Sequence, residues 1–480
     1  MSKYKIYHFI IIIVLLGSCK IKQEIPQNRP LLTMPQNFRA KTDSITFELP
    51  TIKAFFSDLT LIALIDTAFN NNFDLQMTLQ KIEMARAGVR FTQGLGKPDL
   101  TGNVAMGQRK FGNYTIDGVG NYDTRFSTNI DGKQQIPDAI IPDYYVGVQS
   151  SWEIDIWGKL KSQKTSATAK LLSSEAGKNL VISELVAQIA SGYYELLILD
   201  NESNILDENI ILQERAVEIT SVLKQAGQAN QLAVNLLNAQ LLSSKALKIE
   251  VKQQIIEVES IINFLVGRYP QNILRSKVAW AKVIPPKLVA GIPSNILENR
   301  PDIKQAEFEL LATKANLFTA KAAFYPSLNL TGGLGFQSFK ALLLLNPASL
   351  AFNTFGGLTA PLANRRQIIA DLMASKAEQK MAYINYQKVV VNSFTEVYNQ
   401  LNLIQNTNEM YDLKSQEVDV LRESITISSE LFTSGRATYL EVITAQKNAL
   451  QSQIELINLK KRQYSSVIGL YKSLGGGWRR

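Results

Sequence analysis

The sequence predicts a mixed α and β chain, mostly α, in which four membrane-crossing strands join two pairs of very long helices. Three observations predict it. The chain repeats itself in tandem. It holds proline-free helical tracts too long for a compact domain. Just before and after those tracts, the apolar period switches from about 3.6 to 2.

The repeat comes first, because a long internal duplication governs every later assignment. Asp74 matches Asp302, Ala87 matches Ala315, Pro98 matches Pro326, Leu100 matches Leu328 and Gly107 matches Gly335, at an offset of 228. Downstream, Gly227 pairs with Gly435, Leu232 with Leu440, Val234 with Val442 and Gly267 with Gly475, at an offset of 208. The drop of about twenty places a longer link after the first strand of the first half.

Lys3 and Lys5 precede an apolar run from Phe9 to Leu16, the pattern of a secretory leader. It ends in Leu16-Gly17-Ser18-Cys19, which resembles the bacterial lipobox, so Cys19 is the expected site of a diacylglycerol thioether. Cys19 is the only cysteine and His8 the only histidine, and His8 leaves with the leader. The mature body therefore makes no disulfides, and Ser-His, Cys-His and histidine-metal chemistry are excluded. The formal charge of +9 falls to +7 without Lys3 and Lys5 and is spread along the chain. No basic run with interleaved aromatics is present, which argues against nucleic acid. Beyond the leader no apolar run approaches the ~20 residues of a membrane helix.

Pro26, Pro30, Pro35 and Pro50 mark residues 19–57 as an extended arm. Leu59 to Phe69 is an amphipathic helix broken by Asn70-Asn71-Asn72, and a second helix follows from Phe73 to Phe91. Strand 1 spans Leu100 to Met106; a loop rich in Gly, Asn and Asp leads to strand 2, Tyr144 to Trp152. No proline occurs between Pro142 and Pro270, nor after Pro361. Helices are expected over 157–225, 232–266, 364–432 and 439–474. At 1.5 Å per residue the longer ones span ~100 Å, so they pack side by side in a tube or rod. Ile443, Leu450, Ile457, Tyr464 and Tyr471 recur every seven residues, with Leu242, Ile249 and Ile256 in the matching places of the first half. Gly227 and Gly435 suit the ends of the outgoing helices, and Thr438 with Glu441 suits a capping box on a returning one. Pro270, Pro285, Pro286 and Pro293 mark 269–299 as a connector.

In the second half, Arg300-Pro301-Asp302 opens a helix that Phe324-Tyr325-Pro326 stops. From Ser327 onward Leu328, Leu330, Leu334 and Phe336 point one way, toward lipid; Asn329, Thr331, Gly333 and Gly335 point the other, toward water. Trp152 and Trp157 flank the expected membrane boundary, where indoles favour the interface. Glu153 and Asp155 share a face at a strand end, but no histidine or metal motif accompanies them as a catalytic site would require. Four strands cannot close a barrel, and open edges are not tolerated in lipid. Several copies must share one barrel: two copies give eight strands, three give twelve and room for a channel.

These motifs carry a resemblance. Arg300-Pro301-Asp302, Phe324-Tyr325-Pro326-Ser327, the run Trp152-Glu153-Ile154-Asp155-Ile156-Trp157-Gly158 and the ending Leu470 to Trp478 are similar to the TolC-type outer-membrane efflux family. The closest branch is its lipoprotein (NodT/OprM-like) one, over about residues 50 to 478. The resemblance implies a homotrimer with a shared twelve-stranded barrel and a coiled-coil periplasmic tunnel. It implies the exit channel of a tripartite pump, with a periplasmic adaptor and an inner-membrane transporter, often of the resistance-nodulation-division type. Such a protein is not an enzyme and needs no cofactor beyond the lipid on Cys19. The segments are then 1–18 signal peptide, 19–57 arm, 58–268 first repeat, 269–299 connector and 300–478 second repeat. The tunnel of the family closes at the helix tips, where relatives often place an aspartate two residues after the second glycine. Here the tips read Gly227-Gln228 and Gly435-Arg436-Ala437, without an acid. The alternatives are the same architecture in type I secretion or metal-ion export, and a lipid-anchored coiled-coil rod without a pore.

Overall fold

A computed structural model describes residues 49–275, 295–362 and 365–479, together with Pro35. Cys19, the leader, most of the arm and residues 276–294 of the connector lie outside the described residues. The elements in order are α1 (Ile52–Phe55), α2 (Leu59–Asn71), α3 (Phe73–Leu95), β1 (Asp99–Arg109), α4 (Ile116–Phe126), β2 (Ile141–Ile154), α5 (Lys159–Gln225) and α6 (Gln231–Val266). The second half holds α7 (Asn295–Asn299), α8 (Pro301–Ala322), β3 (Ser327–Ser338), β4 (Leu350–Thr359), α9 (Arg366–Thr433) and α10 (Tyr439–Ser473). Shifted by 208, both ends of α5 and of α6 fall within one residue of those of α9 and α10. The duplication is thus a duplication of structure.

Two compact units divide the chain, one built on residues 84–171 and 309–383, the other on 30–83, 172–308 and 384–480. The first unit contains the sheet. Its four strands lie in the order β1-β2-β3-β4, all antiparallel. All four expected strands are present; β1 and β2 run past their expected limits at both ends and β3 past its C-terminal end, where cross-strand pairing continues. The Gly- and Asn-rich link after β1 contains a helix, α4, that its composition does not suggest. The short link between β3 and β4 holds two 3₁₀ turns, Ala341–Leu343 and Pro347–Ser349.

The second unit contains the helical hairpins, apart from the first turns of α5 and α9 up to residues 171 and 383, and the main core. Leu185, Ile189, Tyr193 and Leu196 of α5 are buried there with Val258 and Ile262 of α6, and with Ile457, Tyr464, Ile468 and Tyr471 of α10. Full burial of one such side chain is worth about 1.5–3 kcal/mol. One 18-residue window of α5 is apolar enough for a membrane span, but half of it is buried within the protein. Residues 49–56, taken from composition as part of the arm, belong to this core. Leu49, Ile52, Phe55 and Phe56 are buried, Phe55 stacks on Tyr471 at 4.0 Å, and the Tyr471 hydroxyl donates to Pro50 O at 2.9 Å.

The heptad seam of α10 is buried at Leu450, Ile457, Tyr464 and Tyr471. On α6 the buried heptad is instead Leu237, Ser244, Val251, Val258 and Leu265. Leu242, Ile249 and Ile256, expected in the seam, are exposed at 59%, 70% and 48%. The helix carries two apolar stripes, and the chain itself covers only one.

Candidate functional site

The sheet has two chemically distinct faces. Residues directly opposite in antiparallel strands project to the same side. Pairing of Leu328 with Ile154 and Leu358, Leu330 with Trp152, Leu334 with Val148 and Phe352, and Phe336 with Val146 and Leu350 joins these residues on one face. β1 extends that face through Val104 opposite Val146 and Met106 opposite Tyr144. The opposite face carries Thr101, Asn103, Gln149, Asn329, Thr331 and Asn353. There the Asn103 amide donates to Gln149 Oε1 at 3.1 Å. Val104 is 85% exposed and Phe352 78%, although both are large and apolar. That apolar face needs a solvent other than water.

On the polar face Gly147 and Gly335 stand opposite each other. A Cβ on Gly335 would sit 2.6 Å from Val146 O and 3.0 Å from the Tyr145 ring. The glycines let the Tyr145 ring lie flat across the two strands, which smooths this wall. The sequence shows Gly335 at a polar-face position, but not that Tyr145 covers it.

At the near end of the sheet, β2 passes into α5. The Trp152 indole donates to Gly96 O at 3.2 Å, and the Trp157 indole donates to Pro326 O at 2.6 Å. Trp157 also lies against Tyr325, with ring centroids 5.1 Å apart. Trp152 thus sits on the apolar face while Trp157 pins the end of β2 to the start of β3. Glu153 pairs with Lys159 at 2.8 Å, and Asp155 accepts from the Lys161 N–H at 2.8 Å. Both carboxylates secure the first turn of α5, where a negative group is favoured.

At the other end of the hairpins, α5 and α9 stop in the same way. Gly227 N–H donates to Lys224 O and Gln228 N–H to Leu223 O; Gly435 N–H donates to Phe432 O and Arg436 N–H to Leu431 O. This double bond pattern satisfies the last carbonyls and requires a left-handed residue. Gly227 has φ of 75° and Gly435 of 69°. Asn230 caps α6 through the Ala233 N–H, and Thr438 caps α10 in a capping box with Glu441. The Thr438 hydroxyl bond lowers the Glu441 pKa from the usual carboxylate value. Gln228 and Arg436 are exposed and Ala437 is half-buried. Between the tips lies a cleft of about 310 Å³, lined by Thr220, Leu237, Ile425, Phe432, Val442 and Gln446 among others.

Sequence reasoning missed the joint around Arg300. Its guanidinium, 6% exposed, binds Asp302 at 2.6 and 3.0 Å, Glu396 at 2.8 Å and Ser473 O at 2.8 Å. Burial acts to lower its pKa, but the Asp302 and Glu396 carboxylates more than offset that, leaving it raised. The Arg-Pro-Asp run was visible as a helix start; the distant Glu396 and Ser473 were not. Among the described residues no cluster of three or more metal-ligating side chains is present.

The chain resembles known proteins along nearly its whole length. The family model described as outer membrane efflux protein matches residues 64–268 and 292–476. The cation efflux system protein CusC of Escherichia coli is 26% identical over 484 residues, 100% of both chains. The probable outer membrane lipoprotein SilC of Salmonella typhimurium is 25% identical over 483 residues, again 100% of both. Crystal structures of CusC concern its folding and transmembrane channel formation. One of them, 25% identical, superposes with a TM-score of 0.82 over 94% of this chain and 98% of that one.

Proposed function

This chain belongs to the outer membrane efflux protein family and is an outer-membrane efflux channel, and we propose on that footing that three copies close one barrel of twelve strands. The observation that supports the trimer most is the two-faced sheet with free edges at β1 and β4. In lipid every backbone N–H and C=O must be paired, so the β1 edge of one copy meets the β4 edge of the next. The apolar face, with Leu328, Leu330, Leu334 and Phe336, meets lipid; the polar face lines a water-filled bore. Trp152 and Trp157 stand near the periplasmic boundary of the membrane. The exposed second stripe of α6, at Leu242, Ile249 and Ile256, faces a neighbouring copy in the periplasmic tunnel.

Cys19 bears the lipid that anchors the arm, and no other group is bound. The chain does no chemistry: passage is passive, and an inner-membrane transporter of the resistance-nodulation-division type drives it through a periplasmic adaptor. The tips around Gly227, Gln228, Gly435, Arg436 and Ala437 form the periplasmic gate. With no acid at those positions, a trivalent cation on the periplasmic side leaves single-channel current unchanged. Strong block would place an acidic ring elsewhere, first at Glu430 or Glu441.

Two cargo readings stand side by side. The main one is export of small toxic organic molecules. The second, favoured by the name of CusC, is export of metal cations. The mature chain has neither histidine nor a free thiol once Cys19 is lipidated, so a soft cation in its bore meets no imidazole or thiolate and only methionine thioethers remain as soft donors. Selection then lies upstream, with the transporter. Deleting the protein in its host and exposing the cells to panels of dyes and of metal salts separates the two. Sensitisation to dyes alone supports the first and sensitisation to metals alone the second; unchanged sensitivity to both contradicts efflux.

A further inference from the structure

The two halves differ in length at one link. Between β1 and β2 it spans residues 110–140, and between β3 and β4 only 339–349. The extra length contains α4. Both links lie at the same end of the sheet, since Met106 pairs with Tyr144 and Tyr144 with Ser338. That end is opposite to the one where β2 passes into α5.

α4 is amphipathic. Val119, Tyr122 and Phe126 fall on one side, with Ile116 a turn earlier; they are 52%, 67%, 60% and 93% exposed. Tyr122 and Phe126 pack on each other with centroids 4.9 Å apart. Arg125 pairs with Asp138 at 3.3 Å and its guanidinium lies over the Phe126 ring at 5.4 Å, while Thr115 caps the first turn through the Gly118 N–H. Lys340 of the second link donates to Gly132 O at 2.7 Å, tying the two links together. The apolar stripe itself is left exposed by the rest of the chain.

We propose that α4 lies along the outer-leaflet interface of the membrane, with Val119, Tyr122 and Phe126 inserted among the lipid acyl chains; this rests on the channel reading above. Continuity selects lipid as the occupant. At the end of the sheet from which the α4 link emerges, the lipid-facing side carries exposed Met106 and Leu350. On the bore-facing side the same end carries Asp143, Tyr145 and Gln337, a polar surface for an apolar stripe to meet. A helix of this kind settles ~5–10 Å into the boundary between headgroups and chains. It also supplies aromatic side chains at the outer rim, as Trp152 does at the inner one, and membrane barrels place aromatic girdles at both.

The test uses the full chain with Cys19→Ser, in which an introduced cysteine is the only thiol. Val119→Cys, Thr124→Cys and Leu334→Cys are each labelled with an environment-sensitive fluorophore. The proteins are reconstituted in phosphatidylcholine vesicles holding nitroxide lipids, spin-labelled shallow or deep on the chain. We expect position 119 to be quenched at least twofold more by the shallow than the deep nitroxide, and to resist iodide. Position 124 should be quenched by iodide, and position 334, in the middle of β3, by the deep nitroxide. If 334 behaves so but 119 is quenched by iodide, α4 lies in water and the proposal fails. If 119 is shielded from both quenchers, α4 docks on protein, such as a second copy, and the proposal again fails. Loss of nitroxide quenching at 334 would overturn the channel reading itself.

Discussion

The same joint is built twice in this chain with different chemistry. In the first repeat the Asn72 amide donates to Leu265 O at 2.8 Å. In the second, Arg300 donates to Ser473 O, also at 2.8 Å. The donors are 228 residues apart and the acceptors 208, the two offsets of the duplication. Beside each joint the chain passes so close that a side chain has no room. A Cβ on Gly475 would meet Asn299 O at 2.6 Å, and one on Gly267 would collide with Asn71 O. The backbone contact has been kept while the side chain diverged. Asn72 makes a neutral joint and doubles as a helix cap, accepting from the Leu75 N–H. Arg300 instead ties the joint to α8 through Asp302 and to α9 through Glu396. The second repeat therefore concentrates in one buried cation what the first distributes over ordinary caps.

Truncating the two donors tests that difference, and the larger effect is expected at Arg300. Arg300→Ala leaves two carboxylates without their buried partner, a change that costs about 3–5 kcal/mol for buried pairs. The lower end applies because Glu396 is 42% exposed. Asn72→Ala removes a cap and one hydrogen bond, about 1–2 kcal/mol. The comparison is read from the denaturation midpoint of the helical signal in detergent. Equal shifts for the two variants would mean that Arg300 acts as a cap and its ion pairs contribute nothing.

A smaller effect sharpens the same contrast through pH. Tyr464 and Tyr471 of α10 are buried, and burial pushes both up to about 12, with Tyr411 adding to the shift at Tyr464. The first repeat has Ile256 and Asn263 at those places. A raised pKa stabilises the folded state in full below the unfolded value of 10.0, and that contribution is lost as pH rises through about 12. Tyr194 of α5, stacked on Tyr464 and itself raised by burial, shares this dependence, so the core between the two hairpins should loosen as pH rises from 10 toward 12, and Tyr464→Phe should remove part of the loss. An unchanged alkaline midpoint in that variant would assign the loss to other groups.

Much of this was legible in the sequence, and what was not has identifiable causes. Helix ends were readable because Gly, Pro and Thr-x-x-Glu punctuate them locally: α10 was expected over 439–474 and ends at Ser473. Strand faces were readable because the period of two is strict from Ser327 to Phe336. The expected seam of α6 is not the stripe buried within one chain, because the helix has two heptad stripes; which one a single chain buries depends on the neighbouring helix, not on the stripe. α4 was hidden by its glycines at 118 and 120, which weaken helix propensity; Thr115 at its N-cap is the one local signal that marks its start. Of the site, the glycine-marked tips and the leucines of the apolar sheet face could be named from pattern alone. The Arg300 joint could not, because its partners lie 96 and 173 residues away.

The central claim is that the odd-numbered face of β3 lines a water-filled bore and the even-numbered face meets lipid. The measurement that tests it most directly is the reversal potential of single channels in a planar bilayer under a salt gradient. The account predicts that the purified protein conducts in discrete steps and that Asn329→Arg also inserts, with its reversal potential displaced toward anions. Leu334→Arg, four residues further along β3 than the partner of Trp152, puts a charge in lipid at a cost of roughly 2–4 kcal/mol near mid-bilayer and should yield few or no channels. Absence of conductance from the unaltered protein would contradict the account, as would equal insertion and unchanged selectivity for both variants.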